Sequence, residues 1–206
     1  MRKEFYIFRH GQTDWNVGKI VQGHSDIPLN KTGMEQAKLL GEFIKNLNLE
    51  RVYSSDLLRA KQTAEIAIKD KCQIITSANL REANFGEAEG KTIDQVKEIY
   101  GEDFWNQFRL FTGGLNLKFP GGEGRADSIN RIKKFLMTIA ENEKATRIGI
   151  STHGGVVRNF IYSIREKNMR TVPIPNCVVY KVDYYSDQDL WKTTDPIFFI
   201  GEEKDL

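Results

Sequence analysis

A chain of 206 residues, 40% hydrophobic and 28% charged, carries enough apolar material for one buried core and too much to remain unfolded. Its formal net charge is +2, with Lys and Arg scattered rather than clustered. That excludes a nucleic-acid binder working through a basic field, so any anion specificity must come from individual cations placed locally.

The two cysteines, Cys72 and Cys177, form no C-x-x-C pair and gather no metal-ligand cluster, which predicts two reduced, buried thiols and no metal. The start "MRKEFYIFRHG" is basic then apolar, but its apolar run is too short for a signal peptide and no small-residue cleavage site follows. No segment approaches the roughly 18 apolar residues of a membrane span. A cytoplasmic chain with no membrane contact is expected.

Phe5, Tyr6, Ile7 and Phe8 form a β-prone run that ends abruptly in Arg9, His10 and Gly11. A loop rich in Gly, Asn and Asp follows. In "MEQAKLLGEFIKNLN", Leu40, Phe43, Ile44 and Leu47 recur at helical spacing. "RVYSS" reads as a strand and "DLLRAKQTAEIAIKD" as a helix that Ser55 or Asp56 would cap. "CQIIT" is a third strand, and "LREANFGEAEG" a loop.

Residues 92–111 read as helical, with aromatics at Phe104, Trp105, Phe108 and Phe111, and "FPGGEG" breaks the chain after them. Residues of about 92–124 are expected to form a helical, cap-like insertion in a single domain spanning 1–206. Trp105 lies off the Phe104–Phe108–Phe111 face, so it is the candidate there for contact with a ligand. A helix over "DSINRIKKFLMTIAEN", a strand "RIGIST" and a helix opening at "HGG" follow. "CVVYKVDYY" and "PIFFIG" are read as closing strands, an edge at which two copies would pair as a homodimer.

Strands alternating with helices predict an α/β fold of three layers, α/β/α, with a mostly parallel central sheet. In such sheets functional groups gather beyond the carboxyl ends of the strands. Arg9 and His10 end the first strand. Ser54 and Ser55 end the second, just before the helix carrying Arg59. His153 ends "RIGIST". Two histidines and two arginines at one sheet edge suit a phosphate dianion, for which Arg supplies a permanently charged, forked donor and imidazole a nucleophile near neutral pH.

"RHGQTDWN", "SSDLLRAKQTA", "LREANFGEAEG" and "STHGG", in this order and spacing, resemble the histidine phosphatase superfamily, also called phosphoglycerate mutase-like, over nearly the whole chain. The resemblance implies a phosphoglycerate mutase-like fold and a small-molecule phosphate monoester as substrate. It implies His10 as the residue that accepts the phosphoryl group. Arg9, Arg59 and His153 would line the phosphate pocket, with Asn16 as a further donor, and Glu82 would protonate the leaving oxygen. Gln22, Gly23 and Gly154 are expected among the substrate-binding residues. Gly11 and Gly154 would let backbone N–H groups approach the anion. Arg81 is read as structural and His24 as a loop residue.

The family's cofactor-dependent mutases carry an inserted segment after the Glu-bearing loop, whereas here that loop runs directly into a helix. A phosphatase needing no cofactor is therefore the primary expectation. A phosphoglycerate mutase and an α-ribazole phosphatase are the alternatives, the latter because "GGEG" ends in Gly124 where many members have Ser. A silent phospho-ligand binder would lack His10 or Glu82, and both are present.

Overall fold

The computed structural model describes residues 1–110, 114–165 and 172–201. Strand β1 (Arg2–Arg9) leads through a one-turn helix α1 (Asp14–Val17) to α2 (Lys31–Ile44). Then come β2 (Arg51–Ser54), α3 (Leu58–Ile68) and β3 (Ile74–Thr76). Two helices, α4 (Ile93–Tyr100) and α5 (Glu102–Leu110), precede the long α6 (Arg125–Asn142). β4 (Arg147–Thr152), α7 (Gly154–Ile164), β5 (Val179–Tyr185) and β6 (Leu190–Thr193) close the chain.

The six strands form one sheet in the order β3-β2-β4-β1-β5-β6. β3, β2, β4 and β1 are mutually parallel, while β5 and β6 join as antiparallel neighbours. Alternation along β1 explains the layering. Phe5 and Ile7 pack with Ile132, Leu136 and Phe160 of α6 and α7. Tyr6 and Phe8 face the other way, against Leu40, Ile44 and Ala64 of α2 and α3. Side chains of period two feeding two apolar faces require helices on both sides. No helix among the described residues is long and apolar enough to cross a membrane.

The register carries the functional consequence. Phe8 pairs with Ser151 and Arg9 with Thr152, while Ser54 also pairs with Ser151. The carboxyl ends of β1, β2 and β4 therefore finish level, and the residues that follow each meet at one edge.

Several local expectations are corrected. "PIFFIG" is no strand: only Phe198 bridges, to Val179, and its ring stacks on Phe43 at 4.6 Å. The closing strand is β6, where Trp191 packs between Tyr184 and Phe160. The helical reading of the segment after residue 92 holds, in two helices that Gly101 separates at φ +90°, and Phe111 lies outside the described residues. Asp56 does not cap α3; it pairs with Arg81, and Asp26 Oδ1 accepts the Leu58 N–H at 2.7 Å instead. Cys177 is buried but Cys72 only half-buried, both as free thiols.

α4 and α5 hold a small apolar cluster of their own. Val96, Ala88 and the buried Phe119 are wrapped by Phe85, Tyr100, Phe104, Trp105 and Phe108.

Candidate active site

His10 follows the last residue of β1, and its N–H extends the ladder by donating to the Thr152 carbonyl at 3.0 Å. Its side chain is buried, with Nδ1 2.7 Å from the Gly11 carbonyl. A carbonyl only accepts, so Nδ1 carries the proton and Nε2 keeps its lone pair. Burial, then the charges of Arg9 and Arg59, hold His10 well below the usual imidazole range, so the ring is neutral at pH 7. Gly11 has a different task from the one expected. Its N–H donates to Thr63 Oγ1 at 3.0 Å, and a Cβ there would meet the Gly33 carbonyl at 2.5 Å. It lets the end of β1 pack against α2; its N–H is not free for an anion.

Arg9 is half-buried and Arg59 wholly buried. Arg9 donates through Nη1 to the Ile174 carbonyl at 2.6 Å. Arg59 donates to the Ser25 and Gly23 carbonyls at 2.8 and 2.7 Å. Burial brings each guanidinium down to about 10, still charged at neutral pH. Gly23 is there for backbone shape: at φ +50° it turns its carbonyl to Arg59, and a Cβ would overlap Glu89 Oε1. Glu89 cannot move away easily, since it accepts from the N–H groups of His24, Ser25 and Phe85 at 2.9–3.0 Å.

His153 stands at the N-cap of α7, fully buried, its ring 5.3 Å from that of His10. Neither ring nitrogen has a partner among the described residues. Arg9 Nε, Arg59 Nε and Gln22 Oε1 are likewise buried and unpaired. An unsatisfied buried polar group costs about 1–3 kcal/mol, and native cores rarely gather them without a ligand to relieve them.

Glu82 completes the group. Its buried carboxylate accepts from the N–H groups of Gly155 (2.8 Å), Val156 (3.1 Å) and Ala83 (3.0 Å). The positive end of α7 is thus occupied by the carboxylate itself. The same geometry explains Gly155, whose Cβ would lie 2.5 Å from Glu82 Oε1.

Arg9, His10, Asn16, Gln22, Gly23, Arg59, Glu82 and Gly154 line one cavity of about 230 Å³. His153 is off its wall, packed against His10, and so are Gly11 and Trp105. Asn16 accepts through Oδ1 from the Thr13 N–H and hydroxyl at 3.0 and 3.1 Å, so only its amide nitrogen remains for a ligand. His24 stays outside, with Nε2 2.9 Å from the Glu82 carbonyl. Arg81 forks onto Asp56 at 2.6–2.7 Å, a purely structural pair. Gly124 is the N-cap of α6, so the hydroxyl absent there would serve a helix start.

Sequence reasoning missed Arg158, Phe85 and Ile174, which line the same cavity. Arg158 left one signal, a lone cation inside the apolar helix "GGVVRNFIYSI".

A profile of the histidine phosphatase superfamily (branch 1) matches residues 5–194. The chain belongs to that superfamily. Superfamily members are enzymes, phosphatases or mutases. A relative named probable phosphoglycerate mutase GpmB, from Salmonella choleraesuis (strain SC-B67), is 32% identical over 189 residues, covering 90% of this chain and 86% of that protein. Among solved structures, phosphoglycerate mutase from Bacillus anthracis str. Sterne superposes with a TM-score of 0.83 at 24% identity, covering 94% and 92% of the two chains. Bacillus stearothermophilus YhfR superposes with a TM-score of 0.81 at 25% identity, covering 94% and 96%. The superfamily fold therefore accounts for 94% of the chain.

Proposed function

We propose that the chain hydrolyses small phosphate monoesters through a phosphohistidine on His10. One observation carries this reading: a buried, neutral imidazole with its Nε2 lone pair free shares a cavity with the guanidiniums of Arg9, Arg59 and Arg158 and the carboxyl group of Glu82. Arg9 and Arg59, beside His10, match the two charges of a phosphate dianion, and each charged hydrogen bond is worth about 1.5–3 kcal/mol. His10 Nε2 forms a bond to phosphorus as the ester P–O bond breaks, and Glu82, entering this step as the neutral acid, gives its proton to the departing oxygen and becomes the carboxylate. Water then attacks the phosphohistidine and returns a proton to Glu82. The N–P bond breaks, leaving alcohol, inorganic phosphate and neutral His10. His153, packed against the His10 ring, holds that ring in place.

Hydrolysis is favoured over retention of the phosphoryl group by space for water. The cavity adjoins a second of about 290 Å³, sharing Phe85, Gly155 and Arg158, against roughly 30 Å³ for one water. The GpmB relative's name makes transfer between phosphoglycerates the second reading. The two are separated by incubating the protein with 3-phosphoglycerate and with p-nitrophenyl phosphate, with and without 2,3-bisphosphoglycerate. Inorganic phosphate release from either ester, independent of bisphosphate, is expected. Formation of 2-phosphoglycerate without phosphate release would refute hydrolysis as the activity.

A further inference from the structure

Beside the phosphoryl cavity lies the second cavity, and its wall is an unusual mixture. One side is aromatic: Phe85 meets the edge of Phe108 at 5.8 Å, and Trp105 stacks on Phe108 at 6.3 Å. The other side carries Arg109, Arg125 and Arg158, with Glu123 the one acid among the described residues that line it. That acid is already committed, because Arg131 donates to both its oxygens at 2.9 and 2.7 Å. Arg125 donates to the Phe108 carbonyl and lies 5.6 Å over the Phe108 ring. Arg109 and Arg158 have no hydrogen bond or ion pair among the described residues.

Arg109 and Arg158 face the same cavity, and two guanidiniums side by side are costly without a counter-charge. The cost is visible in the arginines themselves: burial first, then the charge of Arg158, hold Arg125 below its ordinary range. Arg158 is also half-buried in a helix otherwise rich in Val, Phe and Ile. Among the described residues, Glu82 is the one acid whose charge favours Arg158, but Arg9 and Arg59 draw on the same carboxylate and it makes no direct ion pair with Arg158, so one acid faces three guanidiniums. Arg158 borders both cavities, so a group bound to it stands next to the phosphoryl site.

Resting on the hydrolase reading of that site, we propose that the second cavity takes the organic part of the substrate. Arg158, assisted by Arg109, binds a second anionic group on it, a carboxylate or a second phosphoryl group, while Phe85, Trp105 and Phe108 hold a flat or apolar body. The substrate class is then a phosphate monoester that is doubly acidic, not a neutral alkyl or sugar ester.

Hydrolysis-inert phosphonates test this by calorimetry at low salt: benzylphosphonate, 4-carboxybenzylphosphonate and 1,4-xylylene diphosphonate. In the wild type at least one doubly acidic ligand should bind about 10–100-fold more tightly than benzylphosphonate, the value of one or two charged hydrogen bonds. Comparing the two acidic ligands tells carboxylate from phosphoryl recognition. Arg158→Met should bring the preference to within about threefold of unity, the loss of those same bonds. Arg109→Gln, at an exposed position that folding tolerates, should lower it by about threefold or more. Equal binding of all three ligands by the wild type overturns the proposal. So does a preference that survives in the Arg158→Met, Arg109→Gln double variant, an unchanged preference in Arg109→Gln alone, or no binding at all. Because C–P bonds resist hydrolysis, a protein that shows the preference yet turns over no ester would sink the hydrolase reading alone.

Discussion

Lowering the pH of the phosphate-free protein from 6.5 to 5.5 should cost it about 2 kcal/mol of stability, and two buried imidazoles account for the loss. His10 and His153 are both held well below 6.5, first by burial and then by the neighbouring guanidiniums, with His10 itself adding to the effect on His153. In the unfolded chain both titrate near 6.5. Between those values the unfolded state binds protons that the folded state refuses, so the contribution is whole above pH 6.5 and is lost as the pH falls. For each ring the loss over that interval is RT ln(11/2), about 1 kcal/mol. For a chain of this size the two together lower Tm by roughly 4–8 °C. Carboxylates held below their ordinary range, such as Asp56 under Arg81, lose their contribution only at lower pH and do not interfere. Urea melts at half-unit pH steps, in a buffer without phosphate, measure the slope, and His153→Asn should halve it. Stability that is flat or rising between pH 6.5 and 5.5 would show that the rings accept protons in the folded state. The neutral nucleophile would then be lost with it.

Glu82→Gln removes the proton donor but keeps the shape, so it should slow an alkyl phosphate by about 10²–10⁴-fold and p-nitrophenyl phosphate far less; equal losses would reduce Glu82 to a positioning group. Glu89→Ala frees the loop that carries the Gly23 and Ser25 carbonyls and should cost on the order of 2–3 kcal/mol while raising KM, because Arg59 loses its anchors. A denaturation curve and a saturation curve on the same variant check both, and an unchanged KM would separate Glu89 from the site. Since two guanidiniums already balance the dianion, turnover should persist in excess EDTA; abolition by EDTA with recovery on adding a divalent cation would overturn the charge balance. Trp105→Ala should raise KM for aryl phosphates and leave the affinity for inorganic phosphate unchanged, whereas a collapse in Tm would mark Trp105 as packing for Phe119.

The alternation of Phe5 to Phe8 and the helical spacing of Leu40, Ile44, Ile132 and Leu136 were enough to predict a sheet covered on both faces. Periods of 2 and 3.6 are local properties that burial then selects. The same patterns place Arg9, His10, Arg59 and His153 at strand ends, where a parallel sheet collects its functional groups. What no local pattern contains is the pairing of distant segments. Arg59 is held by carbonyls 34 and 36 residues away. Glu82 seats on the start of α7, 73 residues further on. Arg158 joins both cavities only because α7 packs beside the Phe85 loop. β6 outcompetes the more β-prone "PIFFIG" because Trp191 finds a pocket of Tyr184 and Phe160, while Phe198 finds Phe43 on the opposite face. Even the state of His10 belongs to this second class. Its neutrality comes from lost solvation and two nearby cations, quantities that exist only once the chain has closed around the ring.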